Sequence, residues 1–260
     1  MTFRDVVARL ERGLRRELPG PEAQARLAPI PRREWPAGFS HARIRNAAGL
    51  LLVFPKPLTT MNAALAELAE SASFDKLRMS AHGEPVEPMR AQRSLRSTSS
   101  ERAHIVLTVR ADALRHGGQV SLPGGVVEPG ETFEQAALRE AHEEVALPLA
   151  SVRVLGALTS LDIPVSGFRL HPIVAVTETR PPLTAADGEV ADILEVAVNE
   201  LLDPASVVRT RRERDGVEFV VPAFLVCGHE IWGATAMVLA EFLALLGWPR
   251  VGDRPSPTHL

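Results

Sequence analysis

The stretch from Gly117 to Leu147 constrains this chain more than any other part of it. A glycine-rich turn, Gly117 to Gly130, leads to Thr132, and Gln135 three residues later completes the capping-box pattern of a helix start. Taken at about 100° per residue, the helix carries Glu140, Glu143 and Glu144 on one stripe. Ala137, Ala141 and Val145 fill the adjoining sector, which can face a core. Like charges three and four residues apart cost a helix roughly 0.2–0.5 kcal/mol per pair, so the stripe opposes its own fold unless something neutralises it. A hard cation would do so. Oxygen ligands suit Mg²⁺ or Mn²⁺, and Mg²⁺ takes few carboxylates while leaving positions for water and phosphate oxygens. A merely solvated acidic face is the alternative for the helix alone. Its surroundings favour a site: Gly124 and Gly125 allow close backbone approach to a ligand, Glu131 adds a fourth acid, and Arg139 can orient carboxylates through a bidentate contact.

The rest of the chain reads as a frame for this segment. Its 260 residues suffice for a sizeable core. The N-terminus predicts an amphipathic helix with Phe3, Val6, Val7, Leu10 and Leu14 on one side, its charges too frequent for a signal peptide. Pro19 to Asn46, with five prolines, reads as a surface connection. Ala47 to Phe54 predicts a buried strand, and His104 to Val109, Val152 to Leu158, Leu170 to Thr177, Ile193 to Val198 and Val217 to Val226 predict further strands. A helix around Ala63 to Leu68 is expected after the first strand, and residues 71–102, rich in Ser, Arg and Pro, read as a flexible insertion. The last helix runs from Ala234 to Leu246 and stops at Gly247. Although Ile231 to Trp248 is long and apolar, Glu241 near its centre argues for a buried helix over a membrane span. Helices at both ends with mixed strands between them predict an α/β layered domain. The expected organisation is 1–42 helix and connection, 43–250 main domain and 251–260 disordered tail.

The charge of −3 creates no whole-protein basic field for nucleic acid, so an anionic substrate must be handled locally. Cys227, the one cysteine, excludes an intrachain disulfide and reads as a small buried hydrophobe. His142 and His171 read as a solvated helix position and a strand end, and Trp35, Trp232 and Trp248 as packing residues.

From Gly125 to Leu147 the residues resemble the Nudix box, G-x5-E-x7-R-E-U-x-E-E-x-G-U, where U is aliphatic. Gly125, Glu131, Arg139, Glu140, Glu143 and Glu144 match; Ala146 stands at the second glycine and the small Ala141 at an aliphatic position. The resemblance implies an α/β/α sandwich with a mixed sheet. It also implies divalent metal, Mg²⁺ or Mn²⁺, held first by Glu140 and Glu144, next by Glu143, with Glu131 supporting and the Gly125 carbonyl as a further ligand. Water would attack a phosphorus of a diphosphate, with Arg139 orienting the acids and Glu143 or a later loop acid, Glu189, as general base.

Upstream, Val106 to Gly125 is similar to the signature of the coenzyme A pyrophosphatase branch of that family. Leu107, Thr108, Arg110, Ala111, Arg115, Gly118, Pro123, Gly124 and Gly125 match, while the Arg115–Gly118 spacing is one residue short and Leu122 replaces Phe. Arg110, Arg115, Gly118 and Gly124 are thereby substrate-binding candidates, and the forked guanidinium of arginine suits phosphate. The implied reaction cuts coenzyme A to 4′-phosphopantetheine and adenosine 3′,5′-bisphosphate. A cytoplasmic enzyme with a small nucleotide substrate is expected, without nucleic-acid or membrane partner and compatible with a homodimer. Three alternatives stay open. The box could act on ADP-ribose, a dinucleotide or a nucleoside triphosphate; the domain could be a non-catalytic binding module; and the arginines of 71–102 could bind RNA.

Overall fold

The computed structural model describes residues 1–57, 101–111, 117–214 and 216–248. The expected helix near Ala63, nearly all of the 71–102 insertion, Arg115 and the 251–260 tail lie outside them.

Strand β1 (Arg45–Pro57) organises everything else. All its residues from Ala48 to Pro55 are buried, because both its edges and both its faces are covered. It runs parallel to β7 (Phe168–Val176) with Leu50 opposite Ile173. On its other edge it pairs antiparallel with β4 (Gly124–Val126) near its start and with β2 (Glu101–Arg110) near its end. Outward from this centre lie β3 (Val120–Ser121) and β8 (Val190–Ala197) on β2, and β5 (Arg153–Ala157) and β6 (Leu161–Ile163) on β7, giving one mixed sheet of eight strands among the described residues.

Side chains alternate across this sheet, as strand geometry requires. Ala48, Leu50, Leu52 and Phe54 meet Ala136, Ala137, Ala141 and Val145 of helix α3 (Phe133–Val145) in one core. Leu51 and Val53 point the other way, into a larger core with α1 (Phe3–Gly13) and α5 (Gly233–Leu245). The result is the α/β/α sandwich that the resemblance to the Nudix box implies, and the layered domain that the pattern of elements predicts. The small Ala141, fully buried, lets α3 lie close to the sheet.

Several elements depart from expectation. The proline-rich connection contains a helix, α2 (Gly20–Ala25), with Gly20, Ala23 and Gln24 buried. The chain after β8 forms α4 (Val198–Leu202) and then a separate three-stranded sheet ordered β11–β10–β9, from β9 (Val207–Arg214), β10 (Val217–Val226) and β11 (His229–Trp232). Cys227 is exposed, in the β10–β11 turn at φ 51°, so the expectation of a buried thiol fails: a tight reversal there holds the side chain outside the apolar layer.

Glu241 lies fully buried in α5. It accepts hydrogen bonds from Gly20 N, Gln24 Nε2, Thr159 N and Thr159 Oγ1, tying α2 and the β5–β6 turn to the last helix. Among the described residues no helix is long and apolar enough to cross a membrane.

Candidate active site

The local sequence sets the site's two walls. One is α3, started by the predicted box: Thr132 Oγ1 accepts from Gln135 N, and Gln135 Oε1 accepts from Thr132 N at 2.8 Å. The helix ends at Ala146, which sits left-handed at φ 52°. That is the position where the family pattern has glycine, so the departure puts a methyl group on a backbone shape that favours none.

The other wall is the Gly124–Gly125 strand against β1. A methyl group on Gly124 would overlap the Ala48 carbonyl, and one on Gly125 would overlap the Glu140 carboxyl. Gly124 therefore demands glycine for close backbone approach rather than for flexibility, whereas at Gly125 a methyl group would fit only by moving the Glu140 carboxyl. The Gly124 amide donates to Glu144 Oε2 at 3.2 Å.

Between these walls is a cleft of about 420 Å³ lined by Arg110, Gly124, Gly125, Val126, Val127, Glu128, Pro129, Glu140, Glu144 and Glu189. Burial pushes the Glu144 carboxyl up to about 7; the Gly124 amide opposes this, Glu140 and Glu189 add to it by repulsion, and Arg110 partly compensates. Arg110 makes no hydrogen bond or ion pair with another described side chain, so its guanidinium is free for an anion entering the cleft. Glu189 stands at the head of β8, where its carbonyl accepts from Ala111 N and sets it beside the end of β2.

Arg139 is fully employed behind the cleft. Its Nε and Nη2 grip both oxygens of Glu131 at 2.8 and 3.1 Å, Nη1 reaches Glu140 Oε1 at 2.9 Å and Glu143 Oε2 at 3.0 Å, and Nη2 also donates to the Val126 carbonyl. The contact with Glu131 raises the Arg139 pKa and lowers that of Glu131. Arg139 thus orients the acids and closes the 126–131 loop onto the helix.

The structure accordingly sorts the candidates. Arg110, Gly124, Gly125, Glu140, Glu144 and Glu189 come together. Glu131 is committed to Arg139 and to the Glu128 amide, and Glu143, 54% exposed, lies on the solvent side against Arg139. Gly118 closes the β2–β3 loop by donating to the Arg110 carbonyl at 2.9 Å, so it supports Arg110 from behind. Among the described residues no three His, Cys, Asp or Glu side chains form a ready-made metal cluster. The donor set nonetheless fits Mg²⁺ or Mn²⁺: two carboxylates, Glu140 and Glu144, with too little positive charge between them and a backbone wall alongside, since Mg²⁺ binds through one or two carboxylates plus water and substrate oxygens.

Sequence reasoning missed one neighbour of this cleft. Phe133, the first helical residue, stacks face to face on His171 with ring centroids 3.5 Å apart and planes 9° apart. Asn46 Oδ1 holds His171 Nε2 at 3.0 Å, and burial lowers the His171 pKa. Nothing in the spacing of Asn46, Phe133 and His171 signals this; β1–β7 pairing brings Asn46 and His171 together, and the packing of α3 on the sheet adds Phe133. His142, by contrast, is exposed as expected, its Nδ1 3.0 Å from the Leu147 carbonyl.

A layered α/β domain whose acidic helix faces a glycine wall, with Arg110 across the gap, is an arrangement suited to holding a small anionic group together with a divalent cation. The family model for the NUDIX domain matches residues 94–214. Over 137 residues the chain is 38% identical to the Nudix hydrolase NudL of Yersinia pestis (strain Pestoides F), itself uncharacterized, covering 52% of this chain and 68% of that one. The NudL protein of Yersinia pseudotuberculosis serotype O:1b (strain IP 31758) matches to the same extent. Among solved structures, the Nudix hydrolase RenU of M. smegmatis aligns over 78% of this chain and 84% of its own at 18% identity and a TM-score of 0.44. The chain belongs to the Nudix family of hydrolases.

Proposed function

We propose that the protein hydrolyses a diphosphate linkage with the help of Mg²⁺ or Mn²⁺, and that its substrate is coenzyme A or a derivative, cut to 4′-phosphopantetheine and adenosine 3′,5′-bisphosphate. The observation that carries the reading is the convergence of Glu140 and Glu144 on the Gly124–Gly125 wall, opposite the free guanidinium of Arg110. A divalent ion bound there would neutralise the diphosphate and acidify water. Glu140 and Glu144 would hold it, with the Gly125 carbonyl alongside. Arg139 keeps Glu140 oriented through Nη1 and braces Glu131, so its own role is positioning. Arg110 would grip a phosphate oxygen by its fork. Glu189, exposed at the cleft's rim, is the better-placed proton acceptor of the two candidates, because Glu143 faces Arg139 outside the lining. Coenzyme A rests on the upstream signature, in which Leu107, Thr108 and Arg110 lie at the end of β2 and Arg110, Gly124 and Gly125 line the cleft.

The test is purified protein with Mg²⁺ or Mn²⁺ and a panel of coenzyme A, ADP-ribose, NADH and nucleoside triphosphates. Turnover of coenzyme A above the others is the expected result. Preference for ADP-ribose overturns the substrate, and no turnover of any overturns the enzyme.

A further inference from the structure

We infer that Phe133, backed by His171, is the stacking platform for the base of a nucleotide substrate, so that the cleft reads a planar aromatic group as well as a diphosphate. This rests on the diphosphate chemistry proposed above, and it names a subsite of the same cleft. Four observations carry it. First, Phe133 belongs to neither apolar core and is 39% exposed, although it is a large aromatic ring at the start of a well-packed helix. One face is spent on His171, 3.5 Å away and nearly parallel; the ring's exposure is what a second stacking partner requires.

Second, the platform is fixed in place. His171 lies on β7, opposite Ala48 of the central strand, and its Nε2 is held by Asn46 Oδ1. A pre-oriented ring stacks at less entropic cost than a mobile one. Third, the same Asn46 joins the platform to the cleft, since its backbone carbonyl accepts from the amide of Val127, a cleft-lining residue. Fourth, the helix places Phe133 on the same stripe as the acids. Glu140 is seven and Glu144 eleven residues on, each within about 20° of the bearing of Phe133 on an ideal helix, and Glu140 is about 10 Å along the axis. That rise is comparable with the reach of a nucleotide from its base to its diphosphate. A base on the open face of Phe133 thus leaves the diphosphate level with Glu140, in the cleft that Glu144 and Arg110 also line.

The experiment separates base from phosphate. α,β-Methylene-ADP and methylenediphosphonate, neither of which can be cut at the bridging carbon, are titrated calorimetrically with Mg²⁺ into the full-length wild type and into Phe133→Ala, Phe133→Leu and Phe133→Trp, each checked for folding by circular dichroism. The wild type should bind the nucleotide at least about 10-fold more tightly than the base-free compound, as one stacked base allows. Phe133→Ala and Phe133→Leu should lose that advantage, Phe133→Trp should keep it, and methylenediphosphonate should bind all four alike. Phe133→Leu guards against a folding effect by keeping an apolar side chain of similar bulk.

Equal nucleotide affinity in wild type and Phe133→Leu overturns the inference, as does a matching loss for the base-free compound, which would mark a structural role. Phe133-dependent nucleotide binding in a protein that cuts none of the panel substrates supports the platform while the proposed reaction fails. Coenzyme A turnover with a KM indifferent to Phe133→Leu does the reverse.

Discussion

Glu144 is the residue on which the site's electrostatics turn. Its carboxyl is pushed up to about 7 by burial and held by one backbone amide. Glu144→Gln preserves the shape and an acceptor for the Gly124 amide but removes the charge a cation needs. Turnover with Mg²⁺ or Mn²⁺ should fall at least about 10²-fold, the scale for losing one electrostatic group at a reacting centre, with the melting temperature unchanged or raised. A variant of full rate would remove Glu144 from the ligand set. Gly125 makes a second residue-scale demand. Its Cα lies so close to Glu140 that Gly125→Ala must displace the carboxyl. A shift of about 1 Å in a catalytic group can cost about 10²-fold in rate, and kinetics beside an unchanged circular dichroism spectrum would read it. Glu140 in its native place in a crystal structure of a fully active Gly125→Ala would refute the reading.

For helix α3, the two ends differ in quality. The start is a complete capping box. The end is Ala146 in a left-handed conformation, which costs a non-glycine residue roughly 1–2 kcal/mol, offset by the roughly 0.5–1 kcal/mol that glycine adds to the entropy lost on folding. Ala146→Gly should therefore stabilise the fold by about 0.5 kcal/mol and raise the melting temperature by a degree or two, measured by thermal denaturation. A lower melting temperature would mean that the methyl group packs favourably enough to outweigh its backbone strain. Thr132→Ala should move stability the other way, by about 1 kcal/mol.

At the scale of the whole molecule, α5 illustrates how a polar residue joins distant segments. Glu241 gathers donors from α2 and from the β5–β6 turn inside an apolar core. Glu241→Ala would strand those donors, and buried unsatisfied groups cost about 1–3 kcal/mol each, so chemical denaturation should show a loss of at least about 3 kcal/mol. Glu241→Gln keeps one carbonyl acceptor and should lose less. Equal stability of Glu241→Ala and wild type would mean that water or rearrangement satisfies the donors. The same residue separates two readings of the C-terminal sequence. An acid amid apolar residues is costly in a lipid span, whereas in a core it can be fully paired, as it is here.

How far the fold could be read from the chain followed the range of the interactions involved. The central strand, the amphipathic N-terminal helix and the capped acidic helix declare themselves through local periodicity and cap chemistry, because apolar spacing is set by which faces a segment buries. The acidic stripe, the glycine pair and Arg139 likewise announced a site and a family. Strand β9 did not: Val207–Arg214 is mostly charged, and it is a strand because β10 pairs with it along its length. Buried α2 within a proline-rich stretch and the Phe133–His171 stack were also invisible, since each depends on a neighbour remote in sequence, and the exposure of Cys227 was missed because it follows from the shape of the β10–β11 turn. The sequence by itself determined that the helix carries its acids on one stripe, for charge and helical phase are local properties. Only the tertiary structure decided which of those acids face the cleft and what stands beside them, because strand pairing and close packing bring distant residues together.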